Sequence, residues 1–205
     1  MLSKSGIAIQ LSKLRVFDNP SAKAEQYSTD SEIAAEILWT AYMSNEIEDK
    51  VIADFGSGTG ILGIGALLLG AKKVFFVEQD LNAMTICKEN LGAVKKLVSG
   101  KFELLHKDVS DFNEKVDVII ENPPFGTKKE HADKVFLEKA FKTSPTIYSI
   151  HKTSTKNFVI AIAKDAGFEV KCEYHFKFPL KATMKFHRKK MQKIEVSCFK
   201  LQKPF

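Results

Sequence analysis

Residues 51–60 read VIADFGSGTG, and they carry the clearest structural signal in the chain. The apolar run Val51 to Ala53 predicts a buried strand, and Asp54 to Gly60 follow it as a glycine-rich turn whose backbone can bend sharply. Residues 60–69 have helical character, and Gly70 provides a stop. A strand, a glycine turn and a helix in this order predict one unit of an α/β sheet, with a ligand bound beyond the carboxyl end of the strand.

The same alternation of strand and helix continues on both sides of that stretch. Thr29, Asp30 and Ser31 are candidates to cap the helix that precedes it. The last two predicted strands follow each other with no helix between them, which predicts an antiparallel pair at one sheet edge. The predicted fold class is α/β, a mostly parallel sheet with helices on both faces. The predicted helices are 7–17, 31–44, 82–91, 133–141 and 155–166, and the further strands are 74–77, 102–105, 116–120, 146–150, 168–178 and 192–201.

Composition favours a soluble globular protein of a reducing compartment. Hydrophobic residues make up 44% of the chain, yet no apolar run reaches the ~18 residues of a membrane span, and no signal peptide is recognisable. The three cysteines, Cys87, Cys172 and Cys198, form no CxxC pair, so neither a disulfide framework nor a metal site is expected. A cytoplasmic location fits best. No repeat or linker divides the chain, so we expect residues 1–205 to form a single domain.

Charge is distributed unevenly along the chain. The formal net charge is +6, but residues 171–203 alone carry ten Lys or Arg against two acidic residues, a net +8, so the remainder carries −2. A basic C-terminal strand pair, residues 171–205, beside a nearly neutral body favours a polyanionic partner such as nucleic acid. A solvated lysine-rich surface, as found in heat-adapted proteins, is the alternative.

Acidic residues follow three successive strands and suit the parts of one nucleoside ligand. Asp54 precedes Gly56 by two residues, and a carboxylate there suits an ammonium group such as that of S-adenosylmethionine. Glu78 ends the second strand, where it can accept hydrogen bonds from ribose hydroxyls, and Asp108 follows the third, within reach of an adenine amino group. Glu78, Asp80 and Asp108 can equally be helix caps or solvated loop acids, and a glycine turn alone also occurs in dinucleotide-binding folds.

The fourth strand leads into Asn122-Pro123-Pro124-Phe125, the most informative motif for chemistry. Two consecutive prolines fix φ and remove N–H donors, so the carbonyl of Pro123 is free to accept. The Asn122 side chain offers a second acceptor. A neutral amino group would donate one hydrogen to each and direct its lone pair toward a methyl donor, while Phe125 stacks on the ring that carries it. The alternative is a rigid turn without chemistry.

These residues resemble the Rossmann-like class I methyltransferases. The chain is similar, more narrowly, to the archaeal and eukaryotic methyltransferase-like proteins that form N6-methyladenosine in small-subunit ribosomal RNA. The resemblance implies a seven-stranded sheet with an antiparallel last strand, S-adenosylmethionine as cofactor and ribosomal RNA as substrate. The matching segments are 25–27 (EQY) with Thr29, 54–60, Glu78, 108–109, 122–127 (NPPFGT), 149–152 (SIHK) and 185–190 (KFHRKK).

The resemblance also implies roles for individual residues. Residues 1–45 would form an N-terminal helical segment that closes over the cofactor. Asn122, Pro123, Pro124 and Phe125 would be catalytic and hold the target base. The chain departs from the family at Ser57 and Thr59, where cysteine is common, at Glu78, where aspartate is common, and in QYST in place of QYPT. The implied cofactor-binding residues are Gln26, Tyr27, Thr29, Asp54, Gly56, Gly58, Thr59, Gly60, Ile61, Glu78, Asp108 and Val109.

A basic loop between the last two predicted strands is the expected RNA contact. Phe178 and Phe186 interleave with its lysines and would stack on bases. His151 beside Lys152 ends the fifth strand, and a lone histidine there is more often structural than a substrate contact. A solvated loop with its aromatic rings tucked into the core is the alternative. The expected RNA-binding residues are Lys152, Lys185, His187, Arg188, Lys189 and Lys190.

A partner and three rival functions stay open. In the usual strand order of the class, Phe102 to Leu105 form a sheet edge, and the resemblance implies that a small zinc-ribbon activator protein adds a strand there. The rivals are guanine-N2 methylation of RNA, protein glutamine methylation and a non-catalytic RNA-binding module. Glutamine methyltransferases usually have NPPY and a larger N-terminal domain, whereas only about 45 residues precede the first strand here.

Overall fold

A seven-stranded sheet forms the centre of the computed structural model, which describes residues 2–17, 28–125, 132–180 and 192–204. The strand order is β3-β2-β1-β4-β5-β7-β6. Strands β1 to β5 are parallel, and β7 is antiparallel to both β5 and β6. The predicted sheet with its antiparallel last strand is confirmed. The strands are β1 Val51–Phe55, β2 Lys73–Glu78, β3 Lys101–His106, β4 Val118–Glu121, β5 Thr146–Lys152, β6 Glu169–Leu180 and β7 Gln192–Gln202.

Six α-helices surround the sheet in the described ranges, and all were predicted, with one substantial error in their limits. The first was expected at 7–17 but begins at Lys4, because Ser3 caps it by accepting a hydrogen bond from the Gly6 N–H at 3.1 Å. It ends at Ser12. Two 3-10 turns, Val109–Asp111 and Thr153–Thr155, complete the structure. The helices are α1 Lys4–Ser12, α2 Ser31–Met43, α3 Ile61–Leu68, α4 Leu81–Val94, α5 Ala132–Thr143 and α6 Lys156–Asp165.

Two hydrophobic cores lie on opposite faces of the sheet. Ile52 and Ile120 point to the face covered by α1 to α4, while Ala53 and Ile119 point to the face covered by α5 and α6. Successive side chains of a strand alternate between faces, so a central strand must be apolar on both sides. This is why β1 and β4 read as continuous apolar runs rather than as alternating patterns.

The candidate site follows from the strand order. From β1 the chain proceeds outward to β2 and β3, whereas β4 and β5 lie on the other side of β1. This reversal leaves a crevice beyond the carboxyl ends of β1 and β4, the usual ligand position in such sheets. Phe55 pairs with Glu121 across the two strands, so the loops that follow them, the glycine turn and the Asn122 motif, leave the sheet side by side.

The predicted edge is confirmed. Strand β3 is the outermost strand on its side of the sheet, and it contains Phe102 to Leu105. In the ranges that the structure describes, no helix is long and apolar enough to cross a membrane.

Candidate active site

The glycine turn after β1 has a backbone that only glycine adopts readily. Gly56, Gly58 and Gly60 have φ angles of 63°, 54° and 89°. A Cβ atom on Gly56 would lie 2.9 Å from Phe136 Cε1, and one on Gly60 would lie 2.6 Å from Cys87 Sγ. Gly56 and Gly60 therefore each combine a left-handed backbone with close neighbours, and a larger residue at either position would displace the turn.

Asp54 is a buried carboxyl group at the base of this turn. It is 1% exposed and accepts a hydrogen bond from the Gly63 N–H at 2.8 Å. Burial raises the pKa of Asp54 to about 8, the Gly63 N–H opposes the rise, and the nearby charge of Glu78 adds to it. An approaching ammonium group would supply the positive charge that the ionised form lacks.

The acids after β2 and β3 occupy the places predicted for them. Glu78 Oε2 accepts from the Gly58 N–H and Oε1 from the Asp80 N–H, both at 2.8 Å, which joins this carboxylate to the glycine turn. Burial raises the pKa of Glu78. Asp108 is exposed and accepts from the Ser110 N–H at 2.8 Å, with Val109 buried behind it. Asp80 caps α4, and Asp108 caps the 3-10 turn Val109–Asp111. Both acids therefore have the capping role that was the alternative to ligand binding.

The turn also has the properties of a ligand cradle. Ser57 Oγ is buried and has no hydrogen-bond partner within the described ranges, and a buried polar atom of this kind is costly unless a ligand or water satisfies it. The small glycines leave the backbone of the turn open to close approach. Thr59 is 5% exposed, and Ile61 begins α3 directly after the turn.

Asn90 ties the N-terminal segment to the glycine turn, a contact that the sequence analysis missed. Its Oδ1 accepts from the Arg15 N–H at 2.8 Å, while its Nδ2 donates to the carbonyls of Arg15 and Thr59, both at 2.9 Å. Phe17 lies against Gly58, 3.2 Å from the position of a Cβ there. The segment expected to close over a cofactor is therefore anchored at the turn, although Gln26 and Tyr27 lie outside the described residues.

Asn122 has one satisfied and one unsatisfied side-chain atom. Its Nδ2 donates to Thr29 Oγ1 at 3.0 Å, whereas its Oδ1 is buried without a partner in the part of the chain that the structure describes. The Thr29 contact orients the amide so that the acceptor oxygen is the free atom. Thr29 was predicted to contact the cofactor, and the structure shows it bonded to the Asn122 motif as well.

Phe125 and Lys152 complete the side expected to hold the target base. The Phe125 ring packs edge-on against Phe178, with centroids 6.3 Å apart at 87°. Phe178 is fully buried, so the prediction that it stacks on RNA is wrong: it supports Phe125 from within the core. Lys152 Nζ lies 6.0 Å from the centre of the Phe125 ring. Lys152 also lines an open cavity of about 540 Å³ together with Thr153, Ser154, Ile194 and Glu195.

Comparisons with known proteins agree with this geometry. The model of the methyltransferase small domain matches residues 23–148, more than half of the chain. The chain belongs to the methyltransferase small domain family. It is 37% identical to the protein MJ0284 of Methanocaldococcus jannaschii, over 99% of this chain and 95% of that one. It is 34% identical to the rRNA N(6)-adenosine-methyltransferase METTL5 of Danio rerio, over 88% of this chain and 89% of that one.

Solved structures share the fold of this methyltransferase. PH1948 of Pyrococcus horikoshii superposes with a TM-score of 0.90 at 44% identity, covering 98% of each chain. Magnesium protoporphyrin IX methyltransferase of Synechocystis, solved with bound S-adenosylmethionine, has a TM-score of 0.67 over 84% of this chain and 79% of that one. At 12% identity, the second likeness concerns the fold alone.

The structure describes Lys152 but not the other residues predicted for RNA binding. Lys185, His187, Arg188, Lys189 and Lys190, with Phe186, lie outside the described residues. Lys200 of the basic strand pair binds Glu46 at 2.8 Å and is largely buried, and Lys171 binds Glu169 at 2.5 Å. His151 is 1% exposed and faces the core beneath α5, so the minor expectation that it touches substrate is wrong. Among the residues that were predicted to bind RNA, the structure places Lys152 beside Phe125.

Proposed function

We propose that this methyltransferase transfers a methyl group from S-adenosylmethionine to the exocyclic N6 of an adenosine in small-subunit ribosomal RNA. The observation that carries the proposal is Asn122 Oδ1, a buried acceptor without a partner in the described structure, in a motif that leaves the sheet beside the glycine turn. Similarity to the rRNA N(6)-adenosine-methyltransferases of Danio rerio and Caenorhabditis elegans, over 88% and 94% of this chain, supports the substrate.

The residues around the glycine turn fit the cofactor. When bound, S-adenosylmethionine supplies an electrophilic methyl group. Asp54 would attract its ammonium group, Glu78 would accept from the ribose hydroxyls, and Asp108 with Val109 would hold the adenine. Ser57 Oγ, the unpartnered atom in the turn, offers a further polar contact. The remaining contacts are assigned to Gln26, Tyr27, Thr29, Gly56, Gly58, Thr59, Gly60 and Ile61.

The catalytic motif would act by orientation. The target amino group donates one hydrogen to Asn122 Oδ1 and the other to the Pro123 carbonyl, which turns the nitrogen lone pair toward the methyl group. Thr29 keeps the Asn122 amide in the orientation that presents Oδ1. Attack needs no strong base, because the nitrogen becomes more acidic as it is methylated, so positioning and electrostatics supply the catalysis. The base must leave its stack to enter, and Phe125 then stacks on it.

Guanine-N2 methylation and glutamine methylation present the same kind of amino group, so Asn122 alone does not choose between them. Lys152 beside Phe125 favours a substrate with phosphates, since a cation next to the stacking ring suits a nucleotide better than a peptide amide. The buried Asp54 and the oriented Asn122 speak against a module that only binds RNA.

Labelled methyl transfer to unmodified small-subunit ribosomal RNA tests this function. The product is digested to nucleosides and analysed by mass spectrometry, with wild type beside Asn122→Ala and the exposed control Asn113→Ala. We expect label in N6-methyladenosine, a loss of about 100-fold or more in kcat for Asn122→Ala, and no change for the control. Label in methylguanosine would overturn the adenine assignment. Absence of label from RNA, with S-adenosylmethionine bound and the β3-edge partner present, would overturn the RNA substrate.

A protein partner at the β3 edge is a second part of the proposal. Among the strands that the structure describes, β3 pairs only with β2, and Phe102 on it is 38% exposed. A small zinc-ribbon protein could add a strand there. Copurification with such a protein, lost when Phe102→Lys or Leu104→Pro is introduced, is the expected result. An unaided chain that is monomeric and fully active contradicts it.

We further infer that residues 1–205 fold as a single domain in the cytoplasm. The cysteines Cys87, Cys172 and Cys198 are all free, and one sheet joins β1 near the N-terminal helices to β7 near the C-terminus. A single cooperative unfolding transition, seen alike by circular dichroism and tryptophan fluorescence, is expected. Two separated transitions would contradict the single domain.

A further inference from the structure

Four polar side chains form a buried row beneath α5, on the sheet face opposite Phe125. Ser149 Oγ lies 2.7 Å from Glu121 Oε1 and 2.7 Å from His151 Nε2. His151 Nδ1 lies 3.5 Å from Asp133 Oδ2. Their exposed fractions are 0% for Glu121 and Ser149, 1% for His151 and 7% for Asp133. The row therefore runs from β4 through β5 to the first turn of α5.

Stability alone does not explain this row. Apolar residues of similar size often stabilise a core as well as or better than buried ionisable groups do. Glu121 Oε2 has no hydrogen-bond partner in the described ranges, which adds a further cost. The neighbouring positions on the same face are apolar, with Ile119 and Ile147 fully buried. Polar residues are thus concentrated at the carboxyl ends of β4 and β5, at the level of the active site.

The two ends of the row flank, in sequence, the segment that carries the Asn122 motif, here called the catalytic loop, of which the structure describes residues 122–125. Glu121 is the last residue of β4 and precedes Asn122 directly, while Asp133 is the second residue of α5. The stretch between them, residues 122–132, contains the whole Asn122 motif. Ser149 and His151, both on β5, join these ends through side chains and not through the backbone of the loop.

The directions of the hydrogen bonds in the row depend on whether Glu121 is protonated. If Ser149 donates to Glu121, then His151 must donate its Nε2–H to Ser149. If Glu121 is protonated and donates to Ser149, then Ser149 donates to His151 and the Nδ1–H of His151 donates to Asp133. Burial raises the pKa of Glu121 to about 8. The hydrogen bond from Ser149 lowers this pKa, and the negative charges of Asp133 and Asp54 raise it further. In either arrangement Ser149 Oγ bonds both Glu121 and His151.

We propose that Ser149 and His151 are positioning residues, which hold the catalytic loop in place by connecting Glu121 before it to Asp133 after it. The inference rests on the proposed methyl transfer at Asn122. Breaking the row lets the loop ends move, and a shift of the order of 1 Å in Asn122 and the Pro123 carbonyl is enough to lower the rate of transfer. Cofactor binding at the glycine turn, on the other loop, is not affected.

Ser149→Ala tests this with Ser144→Ala as matched control. Ser144 is also buried and hydrogen-bonded, to the carbonyls of Asp117 and Thr146, but it precedes β5 at the opposite end of the sheet. We expect Ser149→Ala to lower kcat between about tenfold and 100-fold with an unchanged KM for S-adenosylmethionine. Ser144→Ala should lose comparable stability and keep its kcat. Equal kcat values for the two variants overturn the proposal.

Two further variants separate positioning from packing. Glu121→Gln retains a donor to Ser149 and should keep kcat within about threefold, whereas Glu121→Leu fills the space without a donor and should behave like Ser149→Ala. Full activity in Glu121→Leu would show that the row is not needed.

Amide hydrogen exchange of peptides covering residues 121–137 gives a readout that does not depend on activity. Faster exchange in Ser149→Ala, and not in Ser144→Ala, supports the connection of the loop ends, and identical exchange overturns it. An inactive wild type would count against the proposed function, and this exchange result would still decide the role of the row.

Discussion

The two loops at the centre of the sheet are held in different ways. The glycine turn is shaped by its own backbone, with positive φ at Gly56, Gly58 and Gly60. The Asn122 motif is held by side chains from distant elements: Thr29 on the amide, Phe178 behind Phe125, and the Ser149 row at its ends. The glycine turn is therefore specified largely by its own sequence, with Glu78 and Asn90 as additional supports, while the Asn122 motif depends on the assembled fold.

The largest effect is expected from Gly60→Ala, which changes the backbone of the glycine turn. The new Cβ combines φ of 89° with a distance of 2.6 Å from Cys87 Sγ. We expect the free energy of unfolding to fall by about 2–3 kcal/mol in urea titrations, and cofactor affinity to fall with it. The double variant Gly60→Ala, Cys87→Ala should regain the stability that is lost to crowding, but not the stability that is lost to the positive φ. Wild-type stability in Gly60→Ala would show that the turn can relax.

Thr29→Val removes one of the distant contacts that hold the Asn122 motif, while the shape of the side chain stays almost the same. Loss of the hydroxyl frees the Asn122 amide to rotate, and one hydrogen bond of ~1 kcal/mol corresponds to about a fivefold to tenfold lower kcat. Thr29→Ser keeps the hydroxyl and serves as control. Equilibrium binding of S-adenosylmethionine should weaken by less than kcat does, because the hydroxyl bonds Asn122 and Val keeps the rest of the side chain that is assigned to the cofactor. A large loss of cofactor affinity without a loss of kcat would show that Thr29 contacts the cofactor and does not orient Asn122.

Asp54 sharpens the comparison through pH. Since burial raises the pKa of this carboxyl to about 8, the free protein holds its proton at pH 7. Binding of a cofactor ammonium group favours the carboxylate, so the proton is released and affinity increases from pH 6 toward pH 8, then levels off. Titration calorimetry at pH 7 in two buffers of different ionisation enthalpy should show release of a fraction of one proton. Asp54→Asn should show none, and an unchanged proton release in that variant would assign it to another group.

The smallest effect is expected from Lys152→Ala, since one phosphate contact contributes little by itself. The salt dependence of RNA binding, plotted as log K against log salt concentration, should lose roughly 0.7 to 0.9 in slope. Lys164→Ala, near the end of α6, removes the same charge away from the site and should leave the slope unchanged. Equal slopes in all three proteins would remove Lys152 from the RNA contact.

The same division explains what the sequence could predict. The apolar runs of β1 and β4, the glycines and the NPPF segment are local patterns, and each appeared where it was expected. The contacts of Asn90 with Arg15 and of Asn122 with Thr29 join residues 75 and 93 positions apart, and no local pattern marks them. Phe178 was assigned to RNA because a phenylalanine among lysines looks the same whether its side of the strand is covered or open. Only the packing of β6 on the motif decides that.

The limits of α1 failed for a related reason. Apolar spacing alone predicted a helix to residue 17. Arg15 instead forms hydrogen bonds with Asn90 through both its N–H and its carbonyl, so a residue of α4 stabilises the non-helical chain there. The buried row from Glu121 to Asp133 was likewise invisible, because its four members come from three separate elements. His151 was noticed in the sequence, but its partners were not.

The three hydrogen bonds of Asn90 have a consequence for the order of folding. Arg15 leaves the ribosome before Asn90, because the side chain that holds it is synthesised 75 residues later. Helix α1 can pack on α2 as soon as that helix is made, but the part of the segment around Arg15 has no docking site until β1, α3, β2 and α4 have been made. The attachment of Arg15 to the glycine turn is therefore a late event in the folding of this chain.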